Sequence, residues 1–281
     1  MKSLVYSLGV VLVITLLFIR FTPKEEKKFH WPEGKKVAVS LTFDDGRASQ
    51  VDAGTALLDA YGVKATFYVV PSAVEQRLDG WKEAVKNGHE IGNHSLNHPC
   101  TGNFAWARDK ALEDYTLDQM RKELETANKE IHNLLGITPE VFAYPCGQTY
   151  VGRGVETKSY VPVVAELFQF GRGWMDEGPN APQFCDYAQL TGMEMDGKDF
   201  DEVKKMIEAA KASGGWLVLA GHEMGEEGFQ TTKLSMLKDL IQYAANPANG
   251  VWLETVGTVG KYVRKEGEGD RGQGTVKKNR N

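Results

Sequence analysis

The stretch VAVSLTFDDG at residues 37–46 decides the fold of this chain. Its first seven residues are apolar or β-branched apart from Ser40, which is typical of a strand buried on both faces, as in parallel sheets. Asp44, Asp45 and Gly46 follow directly. Polar side chains directly after a buried strand are typical of β/α proteins, whose active sites lie at the carboxyl ends of the strands. Asp-Gly is also a common turn signal, so the pair alone leaves a simple turn open.

Short apolar runs alternate with longer amphipathic ones on either side of this stretch. The runs at 65–70, 141–144 and 216–220 are typical of further strands, and Thr116–Leu135 has apolar residues at helical spacing. This alternation predicts parallel βα units. About seven units over 35–265 favour a β/α barrel over an open doubly wound sheet. No glycine-rich dinucleotide motif follows the first strand, which weakens the open-sheet alternative further.

Histidines cluster where predicted strands end. His94 and His98 stand four residues apart in HSLNH, after the third strand, and His222 follows the strand at 216–220. Two such histidines can reach one cation from the same side of a turn. With one aspartate oxygen they suit Zn²⁺ or a similar divalent ion, with positions left for water and substrate. As alternatives, the two histidines are solvent-exposed or cap a helix, and His222 is a surface residue in a loop.

The fourth predicted strand ends in YPCG at residues 144–147. Proline and glycine shape a turn here that can direct the Cys146 backbone N–H toward a pocket. The thiol of Cys146 is also a candidate nucleophile. We favour this less, because no base is evident for the thiol and a metal site needs no second nucleophile.

Composition limits the functional class, and the two ends differ from the domain. A net charge of −5 argues against a nucleic-acid partner, and three cysteines exclude a disulfide-rich scaffold. Residues 1–22 contain an uncharged apolar run between the usual lengths of a signal peptide and a spanning helix, so we expect a signal peptide or a membrane anchor. We expect a polar spacer at 23–34, one catalytic domain at 35–265 and a glycine-rich disordered tail at 266–281.

Together, TFDDG at 42–46, HSLNH at 94–98, YPCG at 144–147 and His222 resemble the ordered motifs of the polysaccharide deacetylases, the NodB-type domains of carbohydrate esterase family 4. The resemblance covers essentially all of 35–265. It implies a distorted (β/α)7 barrel and metal-dependent removal of N- or O-linked acetyl groups from a glycan.

The resemblance also implies roles for individual residues. These are Asp44 as general base, Asp45, His94 and His98 as metal ligands, His222 as general acid, and the Cys146 backbone amide as an oxyanion donor. The implied cofactor is a divalent metal, Zn²⁺ first, with Co²⁺, Mn²⁺ or Ni²⁺ as alternatives. The residue types suit the chemistry, because a metal and a backbone N–H can stabilise an oxyanion while a carboxylate accepts a proton from water.

The chain departs from the family pattern in two places. Ala143 stands where the family usually has an arginine that orients the catalytic aspartate. We hypothesise that Arg172, in the run FGRGWMD at 170–176, supplies this cation, with a plain surface charge as the alternative. That run is also the nearest match to the family's fourth motif, which normally carries an aspartate and a tryptophan. Trp174 and Tyr144 are candidate substrate contacts, although a core tryptophan is an equal alternative at 174.

The predicted function is therefore deacetylation of an acetylated polysaccharide outside the cytoplasm, by a membrane-anchored, secreted or periplasmic protein. The expected partners are the glycan and, if residues 1–22 are retained, the membrane; nothing implies a nucleic acid or a protein partner. Two alternatives stay open. One is a hydrolase of the same fold that opens a small cyclic amide or ureide, and the other is a membrane-tethered glycan-binding protein that has lost activity.

Overall fold

The computed structural model describes residues 29–267. The predicted N-terminal segment 1–22, residues 23–28 of the predicted spacer and residues 268–281 of the predicted tail lie outside the described residues. Within residues 29–267, no helix has both the length and the apolar character needed to cross a membrane.

The secondary structure alternates as the sequence pattern predicts. The strands are β1 (Val37–Phe43), β2 (Thr66–Val69), β3 (Glu90–Asn93), β4 (Val141–Ala143), β5 (Tyr150–Val151), β6 (Lys158–Ser159), β7 (Phe170–Arg172), β8 (Met193–Glu194), β9 (Trp216–Gly221), β10 (Glu223–Gly225), β11 (Thr231–Lys233) and β12 (Val251–Leu253). The α-helices are α1 (Thr55–Ala60), α2 (Pro71–Gln76), α3 (Leu78–Lys86), α4 (Leu117–Leu135), α5 (Val161–Leu167), α6 (Phe200–Ser213), α7 (Leu234–Ala245) and α8 (Val256–Gly267).

Eight strands form one sheet in the order β7-β4-β3-β2-β1-β9-β8, with β12 paired to β1, and all their pairings are parallel. The two ends of this order approach each other, because Leu190, three residues before β8, bridges to Arg172 of β7. The predicted fold, a distorted parallel β/α barrel, is confirmed. The distortion lies at β8, which has only two residues.

The central strand β1 is buried along its whole length. Its alternate residues face two different apolar clusters: Val37, Val39, Leu41 and Phe43 pack in one, and Ala38 packs in the other. Thr42 and Ser40 lie on the same side as Ala38 and are hydrogen-bonded, and the first acidic side chain, Asp44, follows directly after the strand.

The long helix α4 supports the loop after β3. Its first turn is closed by a capping box between Thr116 and Gln119, and Gly136 ends it in the left-handed conformation with φ of 72°. Midway along α4, Glu123 accepts hydrogen bonds from the backbone N–H of Asn97 at 2.6 Å and from its side-chain amide at 3.0 Å. The helix thereby fixes the loop that carries His94 and His98.

The packed domain begins before residue 35. Trp31, in the predicted spacer, is 8% exposed and donates its indole N–H to the carbonyl of Gly214 at 3.0 Å. Its ring packs near those of Trp252 and Tyr262. The residues just before 35 are thus part of the folded domain.

Candidate active site

The two aspartates after β1 diverge from each other. Asp44 continues the strand, with its N–H donated to the carbonyl of Gly221 at 2.9 Å. Asp45 has a φ of 73°, a left-handed conformation that aspartate tolerates better than most residues. The turn sends the two carboxylates to different neighbours: Asp44 meets Arg172, and Asp45 meets the two histidines of the β3 loop.

Asp45, His94 and His98 converge on one point. The Oδ1 atom of Asp45 lies 3.5 Å from Nε2 of His94 and 3.3 Å from Nε2 of His98, and the two Nε2 atoms are 3.2 Å apart. The second Asp45 oxygen accepts a hydrogen bond from Nε of Arg47 at 2.9 Å. One carboxylate oxygen and two imidazole nitrogens are thus held within reach of a single cation.

The hydrogen bonds and charges around the three side chains suit a metal. His94 Nδ1 donates to the carbonyl oxygen of Ala143 at 2.9 Å, which leaves Nε2 as the nitrogen that faces Asp45 and His98. Burial and the neighbouring His94 lower the pKa of His98 to about 4, so this ring is neutral at neutral pH. Burial raises the pKa of Asp45, but the hydrogen bond and charge of His94 outweigh it and lower the pKa overall. Neutral imidazoles and an ionised carboxylate are the forms that bind Zn²⁺.

Arg172 and Asp44 form a buried ion pair. Their side chains are 0% and 5% exposed, and Arg172 Nη2 donates to Asp44 Oδ1. The guanidinium also donates to the carbonyl of Gly173 at 2.7 Å and lies 5.0 Å over the ring of Tyr68. Burial raises the pKa of Asp44, but the charges of Arg172, His94 and His222 outweigh it, and the pKa stays below its ordinary value.

The position of Arg172 explains how it reaches the place left open by Ala143. The two residues are register partners at the ends of the adjacent parallel strands β4 and β7. Directly paired residues project to the same face of a sheet. A long cation on β7 therefore enters the same space as one on β4, and Arg172 is not a surface charge.

His222 stands just beyond β9 and is held by Asp196. Its Nδ1 lies 2.7 Å from Asp196 Oδ2, while the other Asp196 oxygen accepts hydrogen bonds from the His222 backbone N–H at 3.2 Å and from Thr232 at 2.6 Å. Burial lowers the pKa of His222, but Asp196, Asp44 and Asp45 outweigh it and raise the pKa overall. The indole of Trp174 meets the imidazole edge-on, with ring centroids 4.9 Å apart.

Sequence reasoning missed Asp196. It follows β8, whose two residues are too short for a recognisable strand pattern, so no strand end marked this aspartate. The aspartate of the run at 170–176, Asp176, instead accepts a hydrogen bond from the N–H of Gly192 at 2.8 Å. Asp196, and not Asp176, contacts the histidine.

Cys146 occupies a tight turn and is cross-linked. Its φ of 55° is left-handed, and its sulfur forms a disulfide with Cys100. The interpretation of Cys146 as a free nucleophile is therefore wrong. The sulfurs also lie beside His98, within 4.8 Å of its nearer nitrogen, but as a disulfide they offer no thiolate to a metal.

Tyr144 and Trp174 differ in their access to the site. Tyr144 is 1% exposed and donates its hydroxyl to the carbonyl of Ala188 at 2.7 Å, so its side chain belongs to the core and not to the predicted substrate contact. Trp174 is partly exposed and packs so closely on Gly147 that a Cβ there would lie 2.9 Å from the Trp174 side chain. Trp174 thus lies between the Cys146 turn and His222.

Residues 32–158 match the sequence profile of the family described as polysaccharide deacetylase. The chain is 31% identical over 150 residues to the peptidoglycan-N-acetylglucosamine deacetylase of Bacillus cereus, a match that covers 52% of this chain and 64% of that protein. The chain spans between 10% and 29% of the length of the first curated relatives that it matches.

Solved structures share the fold. A candidate polysaccharide deacetylase from Mycobacterium smegmatis aligns with a TM-score of 0.61 at 17% identity, covering 85% of this chain and 93% of that one. A family 4 acetyl xylan esterase from Clostridium thermocellum, in complex with a cobalt ion, aligns with a TM-score of 0.51 at 22% identity, covering 81% of this chain and 90% of that one. The resemblance predicted from TFDDG, HSLNH, YPCG and His222 is confirmed.

Proposed function

We propose that this relative of the polysaccharide deacetylases is a metal-dependent hydrolase that removes acetyl groups from a polysaccharide. One observation carries the proposal: a three-ligand cluster of Asp45, His94 and His98 lies beside a second, buried carboxylate, Asp44. A plain metal-binding or structural site has no need of an ionised Asp44 that is not itself a ligand.

The cluster fits Zn²⁺ or a similar divalent ion, because its donor atoms are two imidazole nitrogens and one carboxylate oxygen. When bound, such an ion polarises the acetyl carbonyl and makes water more acidic. The remaining steps belong to the side chains of this chain.

Asp44 accepts a proton as water attacks the acetyl carbon. Arg172 keeps this carboxylate ionised and fixes one of its oxygens, which leaves the other free to accept the proton. The Cys146 backbone N–H donates to the developing oxyanion. A backbone donor does not depend on the side chain, so cysteine is compatible with this role.

His222 donates a proton to the departing amine or alcohol. Asp196 binds Nδ1 and raises the pKa of the ring, so that Nε2 can carry the proton that is transferred. Trp174, edge-on to the same ring, limits its rotation and borders the leaving-group side of the site.

Exposed aromatic rings beside the ligand cluster support a glycan as substrate. Phe104 and Trp106 stack in parallel, with centroids 5.7 Å apart, and are 42% and 60% exposed. The Trp106 ring lies 6.0 Å from that of His98. Exposed aromatic rings are suited to stacking on the apolar face of a sugar ring. The named Bacillus cereus relative makes the N-acetyl group of a peptidoglycan-type chain the first substrate to test.

An extracytoplasmic location fits the same proposal. Acetylated cell-wall glycans lie outside the membrane, and the Cys100–Cys146 disulfide requires an oxidising compartment to persist. Residues 1–22 would then serve as the signal peptide or anchor.

The test measures acetate release by zinc-loaded protein from N-acetylglucosamine oligomers, peptidoglycan and acetylated xylan. A small cyclic ureide is a fourth substrate, and its ring opening is followed by disappearance of the ureide because it has no acetyl group to release. We expect release from at least one glycan, and a loss of about 10²–10⁴-fold in Asp44→Asn with zinc binding retained. Turnover of the ureide alone favours the small cyclic amide alternative. Glycan binding without turnover in any arm identifies a binding protein, and either result overturns the proposal.

A further inference from the structure

A disulfide joins the loop that carries His98 to the turn that carries Cys146. Cys100 lies two residues after His98, and Cys146 is the residue whose backbone amide we propose as the oxyanion donor. The two cysteines are 46 residues apart in sequence, and Cys100 is completely buried. The cross-link is therefore part of the site and not a surface staple.

The Cys100 sulfur also contacts His98, one of the proposed metal ligands. The Cys100 sulfur lies 3.7 Å from Nδ1 of His98, on the side of the ring away from Asp45. A histidine that binds metal through Nε2 needs an acceptor for the proton on Nδ1, and that acceptor fixes the ring. For His94 the acceptor is the carbonyl of Ala143 at 2.9 Å.

Both histidines are thus supported by the same segment, the end of β4 and the turn after it. His94 meets its backbone at Ala143, whereas His98 meets the disulfide that ends in Cys146. A second link joins the same loops, because the N–H of Thr101 donates to the side chain of Gln148 at 2.8 Å. The histidine loop and the oxyanion turn are held as one unit.

The backbone at both ends of this unit is constrained. His98 and Cys146 have φ values of 50° and 55°, left-handed conformations that are uncommon for non-glycine residues. Cleaving the cross-link removes a covalent constraint next to both positions.

We propose that the Cys100–Cys146 disulfide is a positioning element of the deacetylase site: it sets the His98 ring toward the metal and holds the Cys146 amide at the oxyanion, so that full activity requires the oxidised protein. The inference rests on the proposed function. It gives Cys100 and Cys146 a role through His98 and a backbone amide, with no sulfur chemistry in the reaction.

The test compares oxidised and reduced protein. Tris(2-carboxyethyl)phosphine cleaves the S–S bond: the two sulfurs take up two electrons and two protons, and the phosphine becomes its oxide with an oxygen from water. The reagent is removed under nitrogen before measurement. Alkylation followed by mass determination reports the thiols, with Cys185 the one free cysteine of residues 29–267 in the oxidised state.

We expect the Cys100→Ser/Cys146→Ser double variant to bind zinc about 10- to 100-fold more weakly than the oxidised protein, measured by competition with a chelator. Zinc affinity is measured in this variant because reduced wild-type protein offers two thiols beside His98 that can themselves bind zinc. We expect kcat to fall with little change in KM in the variant and in the reduced protein, and we expect the variant to be insensitive to the phosphine. Cys185→Ser is the matched control and should keep both zinc affinity and its sensitivity to reduction.

Far-ultraviolet circular dichroism at low temperature checks that each sample is folded. If the double variant does not fold, reduced wild-type protein with its thiols capped by methyl groups provides the same comparison. Zinc affinity and kcat unchanged within twofold in the folded variant or capped protein overturn the positioning role while leaving the deacetylase proposal intact. A fall in zinc affinity without the cross-link, in a protein that releases no acetate even when oxidised, supports the positioning of His98 and refutes the proposed function.

Discussion

Replacing Arg172 with alanine perturbs the pair that we propose keeps the general base ionised. Arg172 and Asp44 are 0% and 5% exposed, so the variant leaves a carboxylate buried without its main partner. Removing one member of a buried pair typically costs about 3–5 kcal/mol in the free energy of unfolding. Burial then raises the pKa of Asp44 with less opposition, and a protonated Asp44 cannot accept a proton from water. We expect kcat/KM at neutral pH to fall about 10²-fold.

The lowered pKa of Asp44 sets the direction in which stability and activity change with pH. In the wild-type protein the pKa of Asp44 is lowered, so the pair contributes stability above the ordinary aspartate pKa and loses it as the pH falls through the lowered value. The stability gap between wild type and Arg172→Ala should therefore be largest near neutral pH and narrow in acid. The acidic limb of the kcat/KM profile should move to higher pH in the variant.

The assays are urea unfolding and acetate release across pH. Arg153→Ala is the matched control, because Arg153 pairs with Asp114 at 2.8 Å and both side chains are exposed. A second variant places the arginine on the neighbouring strand β4. Ala143→Arg in the Arg172→Ala background should recover at least about 10-fold of the lost kcat/KM, since positions 143 and 172 are register partners. Arg172→Ala with kcat/KM within threefold of wild type at all pH values would refute the reasoning.

Three further predictions concern other parts of the site. Asp196→Asn removes the charge that raises the pKa of His222, so the basic limb of kcat/KM should move to lower pH; an unmoved limb in rate profiles contradicts the role of this pair. His94→Ala removes a ligand and should weaken zinc binding by at least about 100-fold in calorimetry, whereas His132→Ala, in the last turn of helix α4, should leave it unchanged. Trp106→Ala should raise KM for glycan oligomers several-fold but not for a small acetyl ester; equal effects on both substrates exclude a sugar contact.

The features that sequence patterns predicted share one physical origin. A strand buried on both faces has few polar residues, so Asp44, His94 and His222 stood out where the apolar runs ended. Parallel strands bring those ends to one edge, which is why motifs far apart in sequence assemble into one site. The helix Leu117–Leu135 was equally clear, because capping residues and a terminal glycine mark its ends.

The features that sequence reasoning missed depend on register and on contacts between loops. The pairing of Arg172 with Asp44 was only a hypothesis, since nothing in the sequence states that β7 lies beside β4 with Arg172 opposite Ala143. The Cys100–Cys146 disulfide was missed because the residues are 46 apart and sequence alone does not give connectivity.

Two further features were not predicted, because the sequence around them has no regular apolar pattern. The aromatic pair Phe104–Trp106 follows the strand-poor segment after His98, where apolar periodicity gives no signal. The buried position of Tyr144 was also not apparent, because a tyrosine at a strand end is compatible with either a core or a pocket.

The central claim is that one metal at the Asp45, His94 and His98 cluster serves the acetyl-removing reaction. The most direct measurement is a zinc titration of chelator-stripped protein that follows acetate release from N-acetylglucosamine oligomers and bound zinc together. We predict no release without zinc, a rate that saturates at one equivalent, and loss of both rate and tight binding in Asp45→Asn. Full release by stripped protein, or an undiminished zinc-dependent rate in folded Asp45→Asn, would contradict the account.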